Sequence, residues 1–214
     1  MVGQQGAFGR VSFGALLLGS GPRFARDALG PVLVFYIVWK LGGLAAGITA
    51  ATLLALVAFW WERRRGASGM LPAIGLGIAI VQALAGLASG NVGAYFAPAV
   101  IANGLYGVTF LGSVAMGKPL AGVLAQETFP FPPRVKESAT FRRVFARVSL
   151  VWGGYMVGRG VLRLLVLAWS SVELFILVSV LTGIPLTLAL MSWSFWYPLR
   201  AFRRNPELWR PDPT

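Results

Sequence analysis

Between Ser149 and Trp169 the chain reads SLVWGGYMVGRGVLRLLVLAW, and this stretch limits the fold more than any other. At 1.5 Å per residue it is long enough to cross a hydrocarbon core of about 30 Å. In lipid a lone segment satisfies its backbone only as a helix. Its two charges are awkwardly placed: Arg159 stands near the middle and Arg163 one turn on, on the same face. A charge at the centre of such a helix costs about 2.5–3.5 kcal/mol on insertion scales, so both are expected to face protein or a watery cavity. Gly154 and Gly158 form a small-xxx-small pair, which predicts close approach by another helix on that face.

Composition extends this reading to the whole chain. Hydrophobic residues make up 57% of the 214 and charged residues only 12%, against about a quarter in soluble domains. The chain reads as an integral membrane protein with one compact domain. It has no Cys and no His, which removes thiolate nucleophiles, disulfides, the commonest general base and the commonest metal ligand. Seven carboxylates remain, none of them paired in sequence. These absences argue against an enzyme, and no cofactor or metal is expected. The net charge of +12 could point to nucleic acid, but in a membrane chain it reads as basic segments held on the cytoplasmic side.

The fold expected is all-α: a polytopic bundle of six transmembrane helices, the first one short, with both termini cytoplasmic. Residues 1–27 read as a cytoplasmic segment and not a removed signal, residues 28–200 as the transmembrane domain, and residues 201–214 as a cytoplasmic tail. The first apolar run, Ala28 to Trp39, has only about 18 Å of helical length, and Lys40 is expected to snorkel beside an interfacial Trp39. The second, from Leu44 to Trp61, closes in FWWERRR, and Gly43 and Gly47 give another small-residue pair. Met70–Ala88 carries a stripe of Gly75, Ala79, Gln82 and Gly86, read either as close packing or as a surface that turns Gln82 toward the arginines. Phe96–Met116 holds Asn103, Tyr106 and Gly107 near its middle.

A basic cytoplasmic loop follows at 117–147, broken by FPFPP. LAGVLAQE before the break is expected to lie as a helix on the membrane surface. FRRVFARV after it should lead into the fifth span. Lys118, Arg142, Arg143 and Arg147 are candidate contacts for lipid headgroups. With six crossings, sixteen of the nineteen Lys and Arg fall on the cytoplasmic side and Lys40 alone outside. There is also an internal echo. YIVWKLGGLAAGI…LVAFWWERRR parallels LVLAWSSVELFIL…SWSFWYPLRAFRR in its Trp, tight turn, long apolar run, aromatics and arginines.

Three stretches in this order, LGPVLVFYIVWKL, FWWERRR and GKPLAGVLAQE, resemble the intracellular septation protein A family. The matching positions are Pro31, Lys40, Leu41, Lys118, Pro119, Leu120 and Glu127. The resemblance covers the first two thirds and implies a bacterial inner-membrane protein tied to envelope integrity and division. It brings no catalytic residues.

The candidate site is then the pair Arg159 and Arg163. Gln82, Asn103 and Tyr106 are at similar depth, and Glu173 at the head of the sixth span is the natural ion-pair partner for Arg163. Two readings stay open. One is a structural network in a non-enzymatic scaffold. The other is an anion site in a transporter or lipid-handling protein, since a guanidinium fork suits phosphate or carboxylate. Expected partners are membrane lipids, anionic ones included, envelope or division membrane proteins and a second copy of the chain, but not nucleic acid.

Overall fold

A computed structural model describes residues 13–65, 70–129 and 131–204. The cytoplasmic readings of residues 1–12 and 205–214 concern residues outside that set. The described residues form seven helices and no strand: α1 (Phe13–Arg64), α2 (Met70–Ser89), α3 (Val92–Ala115), α4 (Leu120–Thr128), α5 (Pro133–Glu137), α6 (Ala139–Trp169) and α7 (Val172–Arg203). Where the sequence reads as one domain, the helices group into two compact units, 1–95 and 96–214.

Four helical stretches are long and apolar enough to cross a membrane: Gly30–Arg64, Val92–Ala115, Ala139–Trp169 and Val172–Arg203. Ala73–Ser89 is a shorter apolar helix. In the most apolar windows of α6 and α7 only 11% of residues are buried, and Leu162, Leu165, Leu177 and Leu181 stand exposed. Water would not tolerate apolar faces of that extent, whereas acyl chains solvate them. The chain is a multi-pass helical membrane protein.

In the first unit α1 is not one rod. Gly43 has φ 82° and ψ 177°, a conformation essentially confined to glycine, and the helix breaks there. The two arms fold back on each other. A Cβ added at Gly47 would sit 2.9 Å from the Phe35 carbonyl oxygen and 2.9 Å from the Trp39 Cβ. In a straight helix Phe35 and Gly47 would be about 18 Å apart. Gly30 likewise meets Leu54 at 3.8 Å. Gly43 is therefore the hinge and Gly47 the close-packing residue, so the two do not act as one packing pair.

The arm before Gly43 also begins at Phe13, well before Ala28. Phe35 and Ile48 are fully buried between the arms. Phe35 stacks on Tyr95 at 4.4 Å, and Gly86 of α2 sits against Ile48 and Tyr95 with no room for a Cβ. Gly75, in the same stripe, has open space. The Lys40 ammonium lies 4.9 Å from the Trp39 ring, and Arg63, Arg64 and Arg65 lie over Phe59, Trp60 and Trp61, each one turn back.

In the second unit α3 and α6 cross backbone to backbone. A Cβ on Gly107 would meet Val157 at 2.8 Å, one on Gly153 would meet Leu111 at 2.7 Å, and one on Gly160 would lie 3.5 Å from the Gly104 Cα. The expected pair, Gly154 and Gly158, has nothing within 4 Å. At 100° per residue those two point away from both α3 and α7, so the close approach is carried by Gly153 and Gly160.

LAGVLAQE does form a helix, α4, and it packs on α6: Gly122 lies against Phe141 and Phe145. Pro119 offers α4 no side-chain cap. Its first N–H groups are taken instead by Ser113 Oγ (from Leu120, 2.9 Å) and Ser149 Oγ (from Ala121, 3.0 Å). Both serines are buried. Val135, Phe141, Phe145 and Phe202 form the core beneath α4 and α5.

Candidate functional site: a polar ladder between α6 and α7

A two-residue turn, Ser170–Ser171, joins α6 to α7, and Ser171 Oγ caps α7 by accepting from Leu174 N at 3.2 Å. So short a turn makes the two helices antiparallel neighbours and brings residues equidistant from it side by side. Polar residues recur along this seam about once per turn. Starting farthest from the turn, Arg147 Nη1 donates to Tyr197 Oη at 2.9 Å, and Trp152 Nε1 donates to Ser194 Oγ at 2.8 Å. Tyr155 Oη donates to the Thr182 carbonyl at 2.8 Å, with Thr187 Oγ1 2.9 Å away.

The arginines occupy the next two rungs. Arg159 Nη2 donates to the Ser179 carbonyl at 2.9 Å, and its Nε reaches Thr182 Oγ1 at 3.4 Å. Arg163 Nε donates to Ser179 Oγ at 2.9 Å, and its guanidinium lies 5.0 Å from the Phe175 ring. Gly183 makes room for this arrangement, because a Cβ there would meet Arg159 Nη2 at 2.7 Å.

The carbonyls reached from α6, on Ser179, Thr182 and Gly183, fall within the six residues before Pro185. Pro185 has no N–H, so α7 loses a backbone bond there. The carbonyl released by that missing bond is Leu181's, which lies between the three that α6 reaches and is not one of them.

Asn103 joins the surroundings of this seam but not the seam itself. Its Nδ2 donates to the Met156 carbonyl at 3.1 Å, which ties α3 to α6 one turn from Arg159. Tyr106 is 45% exposed on α3, and Gln82 is half-buried in α2 of the first unit. Glu173 stands in the first turn of α7. Lys118, Arg142, Arg143 and Arg147 are all exposed, and Arg143 and Arg147 line an open cleft shared with the end of α7.

Sequence reading missed Ser179, Thr182 and Gly183 as the groups that meet the arginines, and Tyr155 as the neighbouring rung. The signal was present: counting outward from Ser170–Ser171 places Arg159 level with Thr182 and Arg163 beside Ser179.

Comparison with known proteins reaches the level of family. Residues 19–205 match the family described as protein of unknown function (DUF3159). The chain belongs to the DUF3159 family. No curated protein and no solved structure matches it. In this DUF3159 protein the acceptors that hold the two guanidinium groups by hydrogen bonds are a carbonyl and two hydroxyls, all neutral. The ladder can therefore fix helix register and shelter charge, and it does so without using up either arginine's positive charge.

Proposed function

We propose that this DUF3159 protein is a non-enzymatic scaffold of the bacterial inner membrane. It would cross six times with both ends cytoplasmic and serve envelope integrity or division by holding partner membrane proteins. The observation that carries the scaffold reading is the engagement of Arg159 and Arg163 with α7. Their hydrogen bonds end on Ser179 and Thr182, as a register lock requires. The likeness of the first two thirds to the intracellular septation protein A family supports the envelope role. The fold-back at Gly43 supports six crossings, because it divides the first apolar stretch into two antiparallel arms. The basic bias of the segments supports the orientation.

A second reading, an anion-handling protein with a pocket at Arg159, is favoured by the neutrality of the acceptors. One substitution separates the two. Interhelical hydrogen bonds in membranes average about 0.6 kcal/mol and reach about 1.7, so losing two should cost about 1–3 kcal/mol. On the scaffold reading, Arg159→Ala lowers thermal stability in detergent by that amount, and capture of crosslinked envelope partners falls with it. On the pocket reading, phosphate stabilises the native protein against heat and Arg159→Ala abolishes that shift while the protein stays folded. An Arg159→Ala protein with unchanged stability and unchanged partner capture would overturn the scaffold role of the ladder.

A further inference from the structure

The far end of the same helix pair holds a cleft of about 610 Å³ between the first turns of α6 and the last turns of α7. Thr140, Arg143 and Arg147 form one wall and Trp196, Arg200 and Arg204 the other. The α6 residues fall at i, i+3 and i+7, and Trp196 and Arg200 of α7 with its C-cap Arg204 fall at i, i+4 and i+8, so each wall continues a single helical face. Among the described residues that line it there are four arginines and no acid.

Arg147 is already oriented by its bond to Tyr197, and the Arg200 guanidinium lies 5.0 Å from the Trp196 ring. Both contacts hold a fork in place without neutralising it. Four like charges around one opening repel one another, and a bound anion relieves that repulsion. All four are arginine and not lysine, which favours planar, two-point recognition of phosphate oxygens over diffuse attraction. Val144 and Ala201 give the cleft an apolar floor. The apolar run of α7 ends in Trp196, an aromatic of the kind that marks the depth of lipid headgroups.

We propose that this cleft binds the head group of a membrane phospholipid carrying two phosphates, one held by Arg143 and Arg147 and the other by Arg200 and Arg204. The volume lies within the range of small-molecule sites and exceeds what a single phosphate needs. The site is independent of the scaffold reading and uses neither Arg159 nor Arg163.

The test uses the full chain in nanodiscs of neutral phosphatidylcholine, doped with diphosphatidylglycerol or with phosphatidylglycerol at matched charge. Retained lipid is counted by native mass spectrometry. The wild type should retain diphosphatidylglycerol at least tenfold over phosphatidylglycerol. Arg143→Gln with Arg200→Gln should remove that preference, whereas Arg63→Gln with Arg64→Gln, an equal loss of charge elsewhere, should keep it within twofold. Equal effects of the two double variants would reduce the cleft to bulk attraction and overturn the site. Absence of any preference in the wild type would overturn the two-phosphate assignment. Binding of soluble pyrophosphate without retention of either lipid would overturn the lipid source. Should the glutamine pair fail to fold, Arg143→Lys with Arg200→Lys keeps the charge and removes the forks. It should lose the preference while still retaining both lipids weakly, and a full preference there would sink the proposal.

Discussion

Gly183 shows how much one side chain, or its lack, decides. Its missing Cβ is the space in which the Arg159 guanidinium lies. Gly183→Ala would push Nη2 off the Ser179 carbonyl, and the expected loss is about 1–2 kcal/mol, read as a lower melting temperature in detergent. Gly158→Ala is the control. Open space surrounds that position, so trading glycine for a better helix former should raise stability by about 0.5–1 kcal/mol. A sequence reader sees two equivalent glycines in a small-xxx-small pattern and cannot tell which face a neighbour takes.

The arginines were legible as sheltered residues because a buried charge limits the choices. Their partners were harder to see. Serine and threonine in an apolar helix read as residues bonded back to their own helix, and Thr182 does bond to the Val178 carbonyl. Glu173, the ion-pair partner expected of Arg163, stands in the first turn of α7. In helical register it stands about 7 Å beyond Arg163 along the axis.

At the scale of elements, two tight helical hairpins dominate, and they are the two members of the sequence echo. One turns at Gly43 and the other at Ser170–Ser171, and both end in aromatics followed by arginines. The second was readable from its charge-free Ser-Ser break. The first was readable as two segments, but nothing in the composition says that a single glycine can reverse the chain.

The fold-back has a direct check. Cysteines at positions 30 and 54 should be joined by a short bis-maleimide, since a Cβ at position 30 would lie 3.8 Å from the Leu54 side chain. A continuous helix would separate them by about 36 Å, and no crosslink would form. The long basic loop was also only half legible. Its helices follow from LAGVLAQE and the proline cluster, but the two serines that tie α4 to α3 and α6 are ordinary polar residues in the sequence. Ser149→Ala leaves the Ala121 N–H unmet, and about 1–3 kcal/mol of stability should go with it, seen as earlier proteolysis of the loop.

For the whole molecule, membrane residence was the most secure reading, because 57% hydrophobic content with 12% charge leaves no soluble alternative. The proposed topology predicts that single cysteines at Asn91 and Ser171 react with an impermeant maleimide in intact cells. One at Ser68, a position outside the described residues, should react only after permeabilisation. The opposite pattern would reverse the orientation. The division of the chain at Tyr95 was not foreseen, because periodicity and charge report on each span and not on which spans share contacts.

A hairpin hinged on one glycine has a particular route into the bilayer. There is no hydrophilic connector between its arms for an insertion machine to thread across, and the charge beside the bend, the ammonium of Lys40, already lies over an aromatic ring. On the proposed six-crossing topology, such a pair can leave the ribosome, close on itself and slip sideways into lipid as a finished wedge. Lengthening the bend with a run of charged residues would turn that single event into two, and the protein would become dependent on energy-driven export.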